Sequence, residues 1–172
     1  VLTATLSLNG ETQVVEFSIL IGVSTATSYT ETFETDLGTT YADGTFTGVN
    51  GVVWTYVHSR NVDTYGIDGS GVMLRREAEG SALSAVFASG LNEFSFEYRK
   101  AFTGAADRLY SVDITNNGET TTHVIPSFGS GSGAQETVYT FSLTGLNLTG
   151  ETTVKIYATG TGQATFDNFT WA

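Results

Sequence analysis

Two stretches of this chain hold residues that could do chemistry. In ATFDNFTW, residues 164–171, the carboxylate of Asp167 stands between Phe166 and Phe169 in what reads as a core strand. In GVVWTYVHSR, residues 51–60, strand alternation puts Trp54, Tyr56, His58 and Arg60 on one face with Val52, opposite Val53, Thr55 and Val57. Rings beside a cation and an imidazole are what a sugar needs. Flat aromatic faces cover its C–H surfaces, while Arg, His, Asp and Glu hold its hydroxyls. Tyr65, Asp68, Arg75 and Arg76 follow closely in sequence. We read Trp54 as a core tryptophan and Tyr56, His58, Tyr65 and Arg76 as the ligand-facing set. The competing reading makes Arg75 or Arg76 an ion-pair partner of Glu97.

Catalytic alternatives find little support. With no cysteine, thiol nucleophiles, thiolate metal sites and disulfides are all excluded. His58 and His123 are the only histidines, so a Ser-His-Asp triad would have to use one of two strand residues. GSGSG, residues 129–133, has no serine with glycine both two before and two after it, so it is no nucleophile elbow. GIDGSG, residues 66–71, leads into the strand-like VMLRR rather than a helix, so it lacks the N-terminus that binds phosphate. Eighteen acidic residues offer too many pairs for any one of them to signal glycoside hydrolysis.

The elements that position these residues are strands. Thr and Val abound, there are 11 Phe, 8 Tyr and 20 Gly among 172 residues, and Pro and Met occur once each. That composition favours strands punctuated by turns in one ordinary domain. Asx-Gly pairs at Asn9-Gly10, Asp43-Gly44, Asn50-Gly51, Asp68-Gly69 and Asn117-Gly118 mark tight turns. Between them, NEFSFEYRKAF sets Phe94, Phe96 and Tyr98 on one side and Glu93, Ser95, Glu97 and Arg99 on the other. Residues 76–88 could form a short helix, but Gly80-Ser81 interrupts it. The pattern predicts an all-β, antiparallel two-sheet sandwich, with Phe94, Phe96, Tyr98, Val72, Leu74 and Phe166 buried. GSGSGAQ, residues 129–135, reads as a flexible loop.

A formal charge of −11 repels phosphate backbones and anionic lipid, so no nucleic-acid partner is expected. No apolar run is long enough for membrane insertion. The chain opens directly on a strand, as a piece of a longer protein does. VLTATLSLNGETQVVEFSILIG is a hairpin followed by polar STATS. It resembles the last strands of the immunoglobulin-like modules strung along bacterial secreted proteins. We therefore divide the chain into residues 1–23, a hairpin left from an upstream module, and residues 24–172, the main domain.

Within the main domain, the order Glu-x-Phe-Glu (31–34), Tyr-x-Asp-Gly-x-Phe-x-Gly (41–48) and Asn-Gly-x-x-Trp (50–54) resembles a jelly-roll module of secreted bacterial proteins. IDGSGVMLRR and the closing FDNFTW continue the match, which covers residues 29–172. Such modules are similar to carbohydrate-binding jelly rolls. The resemblance implies a secreted, monomeric, non-catalytic module that binds polysaccharide or oligosaccharide beside neighbouring domains of a longer chain. A structural or adhesive spacer is the alternative. In jelly rolls of this kind an acid on the first strand and one on the last share a structural calcium. The matching positions are Glu31 or Glu34, and Asp167, with Asp36 or Asp43 as further donors. The local charges agree, because TETFETD and TFDNFTW contain no Lys or Arg to neutralise the carboxylates.

Overall fold

The structure, a computed structural model, describes residues 2–17, 27–34, 37–61 and 64–172. Strands β1 (Leu2–Leu8) and β2 (Glu11–Phe17) pair as a two-stranded sheet of their own, turning through Asn9 and Gly10, both at positive φ. The chain then builds β3 (Tyr29–Glu31), β4 (Ala42–Thr47), β5 (Val53–Asn61), β6 (Val72–Leu74), β7 (Ala82–Phe87), β8 (Phe94–Lys100), β9 (Arg108–Asn116), β10 (Glu119–Phe128), β11 (Val138–Leu143), β12 (Thr152–Ala158) and β13 (Ala164–Trp171). Every pairing among them is antiparallel. Residues 77–79, where the sequence allowed a short helix, make a single 3-10 turn that ends at Gly80 with φ 66°.

Two layers follow from the pairing. One runs β10-β9-β12-β7-β5-β4 and the other β11-β8-β13-β3. The short β6 joins them, pairing on one side with Ser59–Asn61 of β5 and on the other with Ala164–Phe166 of β13. Alternation delivers one face of each layer to a common core. Along β8, Phe94, Phe96, Tyr98 and Lys100 are buried while their neighbours are half-exposed. Aromatic contacts lock the layers together: Trp54 of β5 meets Phe169 of β13 at 5.2 Å, Tyr110 of β9 meets Phe166 of β13 at 5.0 Å, and Tyr98 of β8 meets Phe128 of β10 at 4.7 Å. This is the jelly-roll sandwich that the sequence predicts, and all six forecast core residues are buried.

Strand β10 shifts register on β9 between Ile125 and Phe128, and two further strands break step where the site forms. In β5, His58 takes φ 45°, which ends pairing with β7 at Val57 and starts pairing with β6 at Ser59. In β13 the register breaks between Asp167 and Thr170, with Asn168 at φ 50°. There β13 gives up β6 and takes β3, whose Glu31 lies opposite Phe169. Each is a β-bulge that lets one strand serve two partners.

The Asx-Gly signals locate the turns at Asn9-Gly10, Asn50-Gly51 and Asn117-Gly118. Asp43-Gly44 instead lies inside β4, at a register shift, where absence of a side chain admits the Tyr56 ring. GSGSGAQ is tied down rather than free: the Gly131 and Gly133 amides donate to the carbonyls of Ala105 and Thr103.

Trp54 is 1 % exposed and touches Phe33, Phe169 and Trp171. Replacing it with Ala should lower stability by roughly 3–5 kcal/mol, read from the chemical-denaturation midpoint.

Candidate functional site

The β13 bulge buries an acid. Asp167 is 0 % exposed. Its Oδ1 accepts the Asn168 amide at 2.7 Å and its Oδ2 the Asp68 amide at 3.3 Å. Loop 64–71 lies across it, and a Cβ on Gly71 would come within 3.3 Å of the Asp167 Cβ. Burial first, and the carboxylates of Glu34 and Asp68 after it, push the Asp167 carboxyl up to about 6, against the pull of the two amides. Glu34 completes the group. Its Oε2 accepts the Ser70 amide at 3.0 Å, and any side chain on Gly69 (φ 99°) would collide with both of its oxygens. The only ion pair among the described residues is Arg75–Glu79, so Asp167 has no cationic partner there.

Of the two glutamates the sequence left open, the structure sets Glu34 beside Asp167. Glu31 is also buried, but its oxygens accept the amides of Thr32, Phe33 and Val49, at 3.2, 3.4 and 2.8 Å. It fastens β3 to the 3-10 turn at 49–51. Asp43 accepts the His58 amide at 2.8 Å, bracing the β5 bulge. Asp36 lies outside the described residues. Hard oxygen donors without a counter-charge, under a loop that glycine keeps open, suit a calcium ion. No cluster of three or more His, Asp or Glu side chains fit to hold an ion occurs among the described residues, so main-chain carbonyls would have to complete the shell.

The same loop reaches a second constellation. Tyr65 packs on Phe102 with ring centroids 4.7 Å apart. The Arg60 guanidinium lies 5.7 Å from the Phe102 ring and 4.5 Å from Tyr41, and Arg75 lies 5.0 Å from Tyr41 on another approach. Tyr41 stacks on His58 at 5.5 Å and 16°, its hydroxyl donating to Gln163. His58 Nε2 is 3.0 Å from Arg75 Nη1. Beside this group opens a cleft of about 220 Å³ whose walls include Arg76, Phe102, Arg108, Thr161 and Gln163.

Three of the four sequence-predicted ligand residues, His58, Tyr65 and Arg76, therefore belong to this end of the sandwich. Tyr56 does not. It is half-buried against the core beneath Gly44, because the His58 bulge breaks the alternation that put both on one face. Neither Arg75 nor Arg76 pairs with Glu97. Arg75 bridges Glu79 at 2.8 Å, and Glu97 accepts the Asn168 side-chain amide at 2.8 Å. Sequence reasoning missed Tyr41 and Phe102. Phe102 continues the parity of Phe94, Phe96 and Tyr98 and so reads as core. Instead β8 stops at Lys100, and Phe102 takes φ 61°, a strained backbone for a bulky residue that turns its ring outward to half-exposure.

The outer face of the β5 layer has another character. Thr45, Val53, Thr55, Val57 and Val86 are exposed there, and its one aromatic ring, Tyr157, lies under Lys155 and donates to Asp113 at 3.3 Å.

No protein-family model and no curated protein matches this chain. Among solved structures, the xylan-binding domain from CBM22 shares the fold with a TM-score of 0.53 at 13 % identity, over 84 % of this chain and 92 % of that domain. The N-terminal endo-1,4-β-D-xylanase 10B of Clostridium thermocellum, CBM22-1 and GH10 modules complexed with xylohexaose, matches with a TM-score of 0.52 at 16 % identity. That match covers 84 % of this chain, which spans 28 % of the xylanase chain. At these identities the likeness is one of fold, and the fold is that of carbohydrate-binding jelly rolls.

Asp167 sets a pH dependence with a definite sign. Its folded-state pKa lies above the unfolded value of 3.8, so the metal-free folded state gains stability as pH falls from 7 through about 6, and the gain is complete below 3.8. The increment from this group is at most about 3 kcal/mol. Melting in chelator should show the midpoint rising from pH 7 to pH 5.

Proposed function

We propose that this is a non-catalytic carbohydrate-binding module of a secreted multidomain protein, steadied by a structural calcium ion. One observation carries the sugar reading. Tyr41, His58, Arg60, Tyr65 and Phe102 gather rings and cations around the cleft that Arg76 and Gln163 line. Ring faces would cover the C–H surface of a sugar, and the guanidinium and amide groups would hold its hydroxyls. Backbone strain at Phe102 supports the same reading, since a bulky residue at positive φ persists only where the surroundings enforce it. The xylan-binding and xylohexaose-bound neighbours make a plant-type polysaccharide a reasonable first ligand to test.

Glu34 and Asp167 are the side chains that would hold the calcium. The ion would supply the positive charge that the buried Asp167 and the exposed Glu34 beside it lack, and tie loop 64–71 to β13. A spacer role draws on a different observation: the Thr- and Val-rich outer face of the β5 layer, which has no aromatic row.

Affinity gels and titration calorimetry with soluble xylan test the first reading. Dissociation constants of about 1 mM to 1 μM are expected. Tyr65→Ala and Phe102→Gly should each weaken binding about tenfold or more with the melting temperature nearly unchanged, the glycine also relieving the positive φ. Retention of full binding by both variants would remove this site. No retardation on any polysaccharide would favour the spacer.

Calcium should raise the melting temperature of the chelated protein in a concentration-dependent way. Glu34 is exposed, so Glu34→Gln should leave the chelated protein as stable while shrinking the calcium increment. An unchanged melting curve on adding calcium would count against the ion.

A further inference from the structure

The chain has 18 acidic and 7 basic side chains, yet it does not mix them evenly. Arg76 and Arg108 line the 220 Å³ cleft. Lys100 and Arg108 both pack against Gly129, and burial together with Arg108 holds the Lys100 pKa below its ordinary value. Arg60 sits over Phe102 and, with Arg75, over Tyr41. Arg99 donates to the Gly66 carbonyl, next to Tyr65. Six of the seven cations thus cluster at the cleft end, and only Lys155 lies elsewhere, over Tyr157. The acids recorded against them are Glu77 and Glu79 on the 3-10 turn, Asp107 beside Arg108 and Asp43 on the His58 amide, while Glu34, Asp68 and Asp167 gather at the other end of loop 64–71.

These cations do not all serve the fold. Arg108 does. It is 2 % exposed and donates to the carbonyls of Ala101, Gly104, Ala106, Gly129 and Gln163. Arg75 bridges Glu79. Arg76 is different: half-buried in the cleft wall, its guanidinium has no hydrogen bond or ion pair among the described residues. The Nε atoms of Arg60, Arg75 and Arg99 are enclosed and unpartnered as well. A guanidinium set in a cleft wall with no anion of its own is placed to take one from a ligand, which neutral sugar hydroxyls do not supply.

Resting on the module reading above, we infer that the cleft takes a carbohydrate bearing a carboxylate, a uronic acid unit, with the Arg76 guanidinium gripping the carboxylate and Phe102 covering the ring. The planar fork of Arg matches a carboxylate in two parallel hydrogen bonds. The cleft is smaller than the roughly 300–1,000 Å³ of drug-sized pockets, so it admits a single sugar unit, such as a branch or a chain end. The overall negative charge does not forbid this, since exposed charges beyond about 8 Å are largely screened at physiological ionic strength and the local cluster decides.

The test is calorimetric titration of the calcium-loaded chain with three probes of matched length. They are a glucuronic-acid-substituted xylo-oligosaccharide, the same compound with its carboxyl reduced to the alcohol, and a sulfated neutral oligosaccharide. The acid should bind about tenfold or more tighter than its reduced form, and tighter than the sulfated probe. Arg76→Gln should erase the preference for the acid over its reduced form with an unchanged melting temperature. Equal binding of acid and reduced forms overturns the uronate inference and leaves the module reading standing. Equal or tighter binding of the sulfated probe also overturns it, making the cleft a general anion site. Failure of every probe, neutral xylan included, removes the module reading along with it.

Discussion

Strand β13 must serve two partners along one edge, and the rest of the site depends on how it does so. Its first half hydrogen-bonds β6 and its second half β3, and the handover falls at Asp167–Asn168. A bulge there keeps Phe166 and Phe169 in the core on both sides of the irregularity, which plain alternation over three residues would forbid. The residue between them points out of the layer. Covered by loop 64–71, it is a carboxylate in an enclosed place. An apolar side chain would meet the loop's amides without accepting from them. Asp accepts two, one of them from the loop itself, at the cost of an enclosed negative charge.

The opposite charge problem is solved at the loops beyond the strand ends. Arg108 opens β9, and its guanidinium spreads over carbonyls from residues 101–106, from Gly129 and from Gln163. Three loops with no regular structure thus share one donor group, which holds the walls of the cleft. Lys100 adds a bond to the Gly131 carbonyl at 2.5 Å. Oriented main-chain dipoles stabilise these two cations in place of carboxylates, and burial holds both pKa values below their ordinary ranges. A cleft wall built this way is positive without being neutralised.

Most of the core was legible because it obeys period two. Phe94, Phe96, Tyr98, Val72, Leu74 and Phe166 all follow it, and Trp54 is core as read. Failures of the reading occur where the period breaks. His58 at positive φ separates Tyr56 from His58 and Arg60, so a face inferred by counting splits into a packed half and an open half. Phe102 sits two residues past the end of β8 pairing at Lys100, where parity no longer reports direction. Nothing in the chain marks either break, since neither is a glycine or an asparagine. Glu31 and Glu34 could not be told apart for a related reason. Both sit at or beyond the end of a three-residue strand, and Phe33 between them takes φ 54°, turning the chain so that the two carboxylates face different neighbours.

Loop 64–71 is the physical link between the two ends of the site. Within four residues it places the Tyr65 ring on Phe102 and the Asp68 amide on Asp167, while Gly69 and Ser70 close on Glu34. Without a neutralising charge, the carboxylates of Glu34 and Asp68 repel that of Asp167 at the base of this loop. Protonation of Asp167 and a cation between the carboxylates would relieve that repulsion by different routes, and the two compete, because a ligating carboxylate must be ionised. The position of Tyr65 therefore rests on how the charge beneath it is balanced. An aromatic platform used for weak binding gains from being ordered beforehand, since each side chain ordered on binding offsets about 0.5–1.5 kcal/mol of the contact energy. In this fold the loop that carries Tyr65 is held from below by Asp167 and Glu34 on its amides and from β8 by Arg99 on the Gly66 carbonyl.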